Sequence, residues 1–355
     1  MRLKNLPGKL LFLVILISLI ISACSSNGDV KPTEMEIEIG VEDVATESLA
    51  DLATPTLLPT LTATPQLQDT PTPAPTLDPF LSMILEGTKL VGEGQVDQGL
   101  AKLGEAIDMQ PSNPEGYLRR GIVFTSLNRL DEAVADFNYA INYDPNSAEA
   151  YNARGLAWVN KEQFELAVSD INKALELQPD YAKAYTNRGI IYTLQDKYDE
   201  ALADFSKVIE LDPYNGEAYF SRGQAYLTSM DKKQEFTEEN INNCVADFTQ
   251  AIALIPEFSD AYFNRGYCQF SKGFWDEAFA DYSKAIELNA ENTKAYLYRA
   301  SLYPDVGTQE QALADAQKVL DLAQDAELRE PAQQMLQEIP KTPQPTRGPT
   351  VTPTP

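Results

Sequence analysis

Residues 114–147 read PEGYLRRGIVFTSLNRLDEAVADFNYAINYDPNS, 148–181 read AEAYNARGLAWVNKEQFELAVSDINKALELQPDY, and 182–215 read AKAYTNRGIIYTLQDKYDEALADFSKVIELDPYN. Laid in register, these 34-residue blocks repeat Tyr117, Tyr151 and Tyr185 at place 4, and Gly121, Gly155 and Gly189 at place 8. Ala133, Ala167 and Ala201 recur at place 20, Phe137, Ile171 and Phe205 at place 24, and Pro145, Pro179 and Pro213 at place 32. A fixed period of this size marks stacked supersecondary units rather than a closed globule.

The frame extends in both directions. A diverged first copy spans 80–113, with Gly87, Gly99, Ala106 and Pro111. A fifth copy at 216–258 is nine residues longer, a sixth spans 259–292, and a seventh at 293–326 has Ala300 and Gln324 where Gly and Pro are usual. Weakened terminal copies fit a capping role, and Glu327–Glu338 reads as a polar helix that covers the last one. The spacing resembles the tetratricopeptide repeat. That resemblance implies an all-α, right-handed superhelical α-solenoid of about seven helix pairs plus a capping helix over 327–339.

The residue types explain the period. Each block predicts an A helix over places 1–14 and a B helix over 18–31. Small residues at 8, 20 and 27 let backbones approach, aromatics at 4, 11 and 24 fill the space between them, and the proline at 32 ends the B helix. Place 7 is Arg in six copies (Arg120, Arg154, Arg188, Arg222, Arg265, Arg299), and place 23 is Asp in the same six (Asp136, Asp170, Asp204, Asp247, Asp281, Asp315). The first copy reverses the signs, with Glu86 and Lys102. A coordinated swap of this kind predicts an ion pair inside each helix pair rather than a row of ligand-binding arginines.

Residues 1–23 read as an export signal: Arg2, Lys4 and Lys9, then an apolar run from Leu10 to Ile21. About 20 apolar residues are needed to span a bilayer, so this run suits a signal core instead. Ile21-Ser22-Ala23-Cys24 resembles the lipobox of bacterial lipoproteins, which implies cleavage before Cys24 and acylation of that residue. Residues 24–79 read as a disordered tether, acidic at first and then alternating Thr and Pro from 54, and the tail at 340–355 has the same Pro/Thr composition. The proline-rich stretch suits a stalk; O-glycosylation of its threonines and docking of a proline-binding partner remain open beside that reading.

With Lys+Arg 28 against Asp+Glu 53, a net charge of -25 and no His, the chain is a poor ligand for nucleic acid and holds no Ser-His-Asp or Cys-His catalytic set. No enzyme activity, cofactor, metal or small-molecule substrate is expected. Cys244 and Cys268 occupy places 20 and 10 of adjacent copies and read as small packing residues, with a disulfide left to geometry.

In the resembled family the A helices line a concave face through places 2, 5, 9, 12 and 13. Here place 5 reads Ile84, Leu118, Asn152, Thr186, Phe220, Phe263 and Leu297. It lacks the lysine that the family's carboxylate clamp uses, so chaperone-tail binding is not carried over. Phe220, Gln224, Leu227, Phe263, Tyr267 and Phe270, with Asn152 and Lys183 in earlier copies, form the candidate groove for a protein or peptide partner. Phe270 has a packing reading too, because Gln269 occupies the usual aromatic place 11. The insertion around Met230–Thr237 reads as a longer turn between the helices of copy five, with Thr237 capping the second. The resulting expectation is a lipid-anchored, extracytoplasmic scaffold at the cell membrane, with a structural spacer or self-associating solenoid as the alternative.

Overall fold

A computed structural model of the chain describes residues 78–303, 306 and 308–339. The signal and Cys24, nearly all of the tether, and the tail at 340–355 lie outside the described residues. Among those described there are fifteen helices and no strand. In order they are α1 Pro79–Gly92, α2 Val96–Met109, α3 Pro114–Ser126, α4 Leu130–Tyr143, α5 Ala148–Asn160, α6 Phe164–Leu177, α7 Ala182–Leu194, α8 Tyr198–Leu211, α9 Gly216–Lys233, α10 Glu238–Leu254, α11 Ser259–Lys272, α12 Trp275–Leu288, α13 Thr293–Ser301, α14 Gln309–Leu322 and α15 Ala326–Glu338. The fold is an all-α repeat solenoid. The described residues fall into two compact units, an N-terminal one up to Ile191 and a C-terminal one from Tyr192, with the boundary inside α7.

Local chemistry sets the helix ends. Four of the A helices are capped by place 34 of the preceding block: Asn113, Ser147, Asn215 and Asn292 each accept a backbone N–H of the first turn. The B helices α4, α8 and α12 lack a side-chain cap but carry paired acids in the first turn, Asp131/Glu132, Asp199/Glu200 and Asp276/Glu277. Negative charge there favours the helix dipole. The turn from A to B passes through a left-handed residue at place 15, which is Gly94, Asn128, Glu162, Asp196 or Gly273. The second helix ends just before the place-32 proline, with Asp144, Gln178 and Asp212 as C-caps.

Within the N-terminal unit α1/α2, α3/α4 and α5/α6 pack as pairs, and α2 and α4 pack onto the next pair. Phe137, Ala133 and Ala140 are fully buried there with Leu118 and Ala150. The glycine at place 8 is a packing requirement: a Cβ on Gly121 would stand 2.6 Å from the Phe137 ring. Within the C-terminal unit α9/α10, α11/α12 and α13/α14 pair, and α15 packs on both α13 and α14. Gly266 faces Tyr282 in the same way, at 2.9 Å. Ala332, Met335 and Ile339 bury the last pair's face against Ala316 and Val319.

The charged pair at places 7 and 23 is present in both units. Arg120 donates to Asp136 from Nε and Nη2 at 2.7 and 2.8 Å, and Arg265 does the same to Asp281 at 2.8 and 2.7 Å. Arg154–Asp170, Arg222–Asp247 and Arg299–Asp315 repeat the two-pronged geometry. The swapped pair Lys102–Glu86 sits at 3.8 Å. The third guanidinium nitrogen reaches back to place 25 of the preceding copy: Arg154 to Asn138, Arg188 to Asn172, Arg222 to Ser206, Arg265 to Thr249 and Arg299 to Ser283. One side chain thus ties its own pair together and holds it to the pair before.

One expectation changes, and one point left open is decided. Of the nine extra residues of copy five, all but one go into helix rather than loop. They extend α9 to 18 residues and α10 to 17, leaving a short turn at Gln234 (φ 54°) before the Thr237 cap, whose hydroxyl accepts from Asn240 N at 3.2 Å. The stretch lacks Gly and Pro, and Met230 finds a buried place, so continuing the helix satisfies its backbone better than a loop would. Cys244 and Cys268 are indeed small, fully buried packing residues, but they are also joined as a disulfide between α10 and α11, with Cα atoms 6.5 Å apart.

Candidate partner-binding face

In the C-terminal unit six of the eight candidate residues lie on the A helices α9 and α11. Phe220 is half-buried, with its ring 4.4 Å from Phe258 and 5.5 Å edge-on to Phe248. Gln224 is half-buried, and Leu227 is buried against Met230 and Ile241. Phe263 lies between Tyr282 and Tyr298, at 5.7 and 5.6 Å. Tyr267 is buried edge-to-face with Tyr298 at 5.4 Å. Phe270 packs on the Ala278, Tyr282 and Leu302 cluster, consistent with its packing reading. Aromatics at offset or edge-on spacing contribute about 0.5–1.5 kcal/mol per pair beyond their burial, so these rings are held in place by one another.

The extension of α9 adds a residue that the repeat frame did not single out. Asp231 follows Gln224 and Leu227 at i+7 and i+4, hence on the same stripe of α9. Its Oδ1 accepts the Tyr267 hydroxyl at 3.3 Å. Burial raises the Asp231 carboxyl to about 6, against the opposing pull of that hydrogen bond. Burial, and then the Asp231 charge, push Tyr298 up to about 12. Tyr198 of α8 is buried and donates to Asp196 at 2.5 Å; burial first, then that bond and the charges of Asp196 and Asp231, raise its pKa. The Tyr282 hydroxyl is fully buried with no hydrogen-bond partner among the described residues, and burial, followed by Tyr298 and Tyr267, raises its pKa well above the ordinary value.

The remaining two candidates lie in the N-terminal unit. Asn152 on α5 is buried, and its Oδ1 accepts from Asn187 Nδ2 at 2.9 Å. Lys183 on α7 is exposed, and its charge helps to offset the burial of Glu149. The neighbouring face is ionic: Arg119 bridges Glu115 at 2.6 Å and Glu149 at 3.1 Å. Burial works against the Arg119 charge, but the two carboxylates outweigh it and leave its pKa raised. Burial pushes Glu149 up, and Arg119 pulls it back.

Sequence reasoning missed Arg119, Tyr298 and Asp231. The first two occupy place 6, adjacent to the place 5 that was read as face-lining, and one step around a helix turns a side chain only about 100°. Asp231 was hidden because its segment was read as a turn; the absence of Gly and Pro before Gln234 was the available signal.

The pairs, their period and their capping define the class of the protein, a solenoid of repeated helix pairs. Profiles of the tetratricopeptide repeat match residues 148–181, 182–215 and 259–292, and a TPR-repeat profile matches 121–162. No curated relative matches the chain. Among solved structures, the chain is similar to a tetratricopeptide repeat protein from Parabacteroides merdae (20% identity, 73% of this chain and 98% of that one, TM-score 0.51). It is also similar to Pseudomonas aeruginosa pilF (16% identity, 62% and 96%, TM-score 0.54) and to the Cut9-Hcn1 hetero-tetramer of APC/C (15% identity, 72% and 48%, TM-score 0.53). At these identities the likeness is one of fold. Repeats of this kind point to a protein-interaction scaffold.

Proposed function

We propose that the chain is an exported scaffold, anchored through lipid on Cys24, that holds protein or peptide partners on the A-helix face of its C-terminal unit. The observation that carries the reading is the run of aromatic side chains from α9 to α13 (Phe220, Phe263, Tyr267 and Tyr298), packed ring against ring along these helices. Aromatic anchors are enriched among the residues that dominate binding energy. Three features support export: the signal-like start, the lipobox-like Cys24, and a disulfide of the kind that persists in oxidising compartments. Each buried CH₂ of an acyl chain adds about 0.8 kcal/mol of membrane affinity, so more than one chain on Cys24 holds the protein stably.

The test is crosslinking of the full chain in its native membrane. Phe220→Ala combined with Phe263→Ala should lower partner recovery at least about tenfold while helical circular dichroism is kept; undiminished recovery excludes this face. Cys24→Ser should shift the protein from the membrane to the soluble fraction, and membrane retention in that variant excludes the anchor.

A further inference from the structure

We propose that the Asp231 carboxylate and the rings of Tyr267 and Tyr298 form a seat for one cationic side chain, of arginine or lysine, on the segment that the C-terminal unit binds. The inference deepens the scaffold reading and rests on it.

The argument begins with how this fold treats acids. Asp136, Asp170, Asp247, Asp281 and Asp315 are buried, and each is held by both prongs of an arginine. Asp231 is half-buried too, yet its carboxylate has one long hydrogen bond, from Tyr267, and no ion pair among the described residues. Removing a carboxylate from water without a cation is costly, and a cation supplied from outside removes that cost. The nearest basic groups of its own helix do not fill the role: Lys232 and Lys233 are exposed, and the Lys233 ammonium stands 5.7 Å from the Tyr198 ring instead.

The rings beside the carboxylate suit the same guest. Tyr267 and Tyr298 meet edge-to-face, and ring faces attract cations through their quadrupole. The chain already uses this contact within itself, with arginines over Tyr151, Tyr219, Tyr262 and Tyr296 at 5.5–5.8 Å. Tyr198 on α8, whose hydroxyl is committed to Asp196, the Tyr282 hydroxyl on α12 and the Gln234 amide, which donates to the Asp231 backbone carbonyl, bring no positive charge. The net charge of -25 favours the approach of a basic segment and disfavours an acidic one.

The probes are butylguanidinium and butylammonium, which reproduce the ends of the two side chains, with uncharged butylurea as control. They are titrated into the full chain carrying fluorine-labelled tyrosine, with Tyr267→Phe and Tyr298→Phe variants assigning the two signals. Saturable millimolar shifts of both signals are expected, at least about tenfold weaker in Asp231→Asn and absent with butylurea. No saturable shift, an equal shift in Asp231→Asn, or an equal response to butylurea overturns the seat. The outcome is separable from that of the scaffold reading. A crosslinked partner lost with the Phe220 and Phe263 substitutions but bound undiminished by Asp231→Asn leaves the face standing and removes the seat. A partner indifferent to Phe220 and Phe263 removes the face, and the cation titration still decides the seat.

Discussion

The two units obey one packing rule and present two different chemistries. In both, places 7, 8, 20, 23, 24 and 27 carry the same interlocking set, seen in Arg120, Gly121, Ala133, Asp136, Phe137 and Ala140 of the N-terminal unit and in Arg265, Gly266, Ala278, Asp281, Tyr282 and Ala285 of the C-terminal one. On the A helices they part. In the N-terminal unit Arg119 satisfies Glu115 and Glu149, whereas the C-terminal unit sets an unpaired Asp231 beside Tyr267 and Tyr298. The lesson is a division of labour within each block: interior places hold the stack, and the places just outside them differ from one unit to the other.

The strongest way to break this comparison is at the shared ion pair. Asp136→Ala in one unit and Asp281→Ala in the other should each cost about 3–4 kcal/mol, because each leaves a part-buried guanidinium without its acceptor. Hydrogen exchange resolved along the full chain would read both. A loss in one unit more than about twice that in the other would mean that the common frame is not energetically common.

The next effect belongs to the C-terminal unit alone. Its disulfide spans a sequence separation of 24, for which loop-closure entropy gives about 3 kcal/mol. Reduction, or Cys244→Ala with Cys268→Ala, should therefore loosen α10 and α11 by about 2–3 kcal/mol while α3–α6 keep their protection. Equal loosening of both units would contradict a local staple.

The repeat frame was legible in the residues because close backbone packing allows few side chains: only glycine leaves room for the Phe137 ring, and only a planar fork meets Asp136 with two bonds. The sign swap at Glu86 and Lys102 made the ion pair readable without coordinates. The face was less legible. Place 6 lies on the margin between inward and outward, so Arg119 and Tyr298 carry no periodic signal of their own. Asp231 depended on whether an insertion would coil or loop, and that was decided by a buried home for Met230, a tertiary contact no local pattern encodes. The cysteines showed the same limit: their spacing permitted a bond, and only the approach of α10 to α11 made it.

The smallest effect tests the unpaired carboxylate directly. Burial pushes the Asp231 carboxyl from its ordinary 3.8 up to about 6 in the folded chain, so between those values the folded chain holds a proton that the unfolded chain has released. Stability contributed by this group is therefore present below about pH 4, falls as pH rises through about 6, and stays lost at neutral pH. Allowing for its partial contact with water, the loss amounts to about 1–2 kcal/mol. Asp231→Asn removes the titration, so it should raise the melting temperature at about pH 7.5 and leave it nearly unchanged at about pH 4. An equal effect at both values would assign the change to packing rather than charge. Asp136 offers the control from the other unit: its arginine is already in place, so Asp136→Asn should lower stability at neutral pH instead. An aspartate whose removal strengthens the fold, beside one whose removal weakens it, is what separates a residue retained for binding from one retained for architecture.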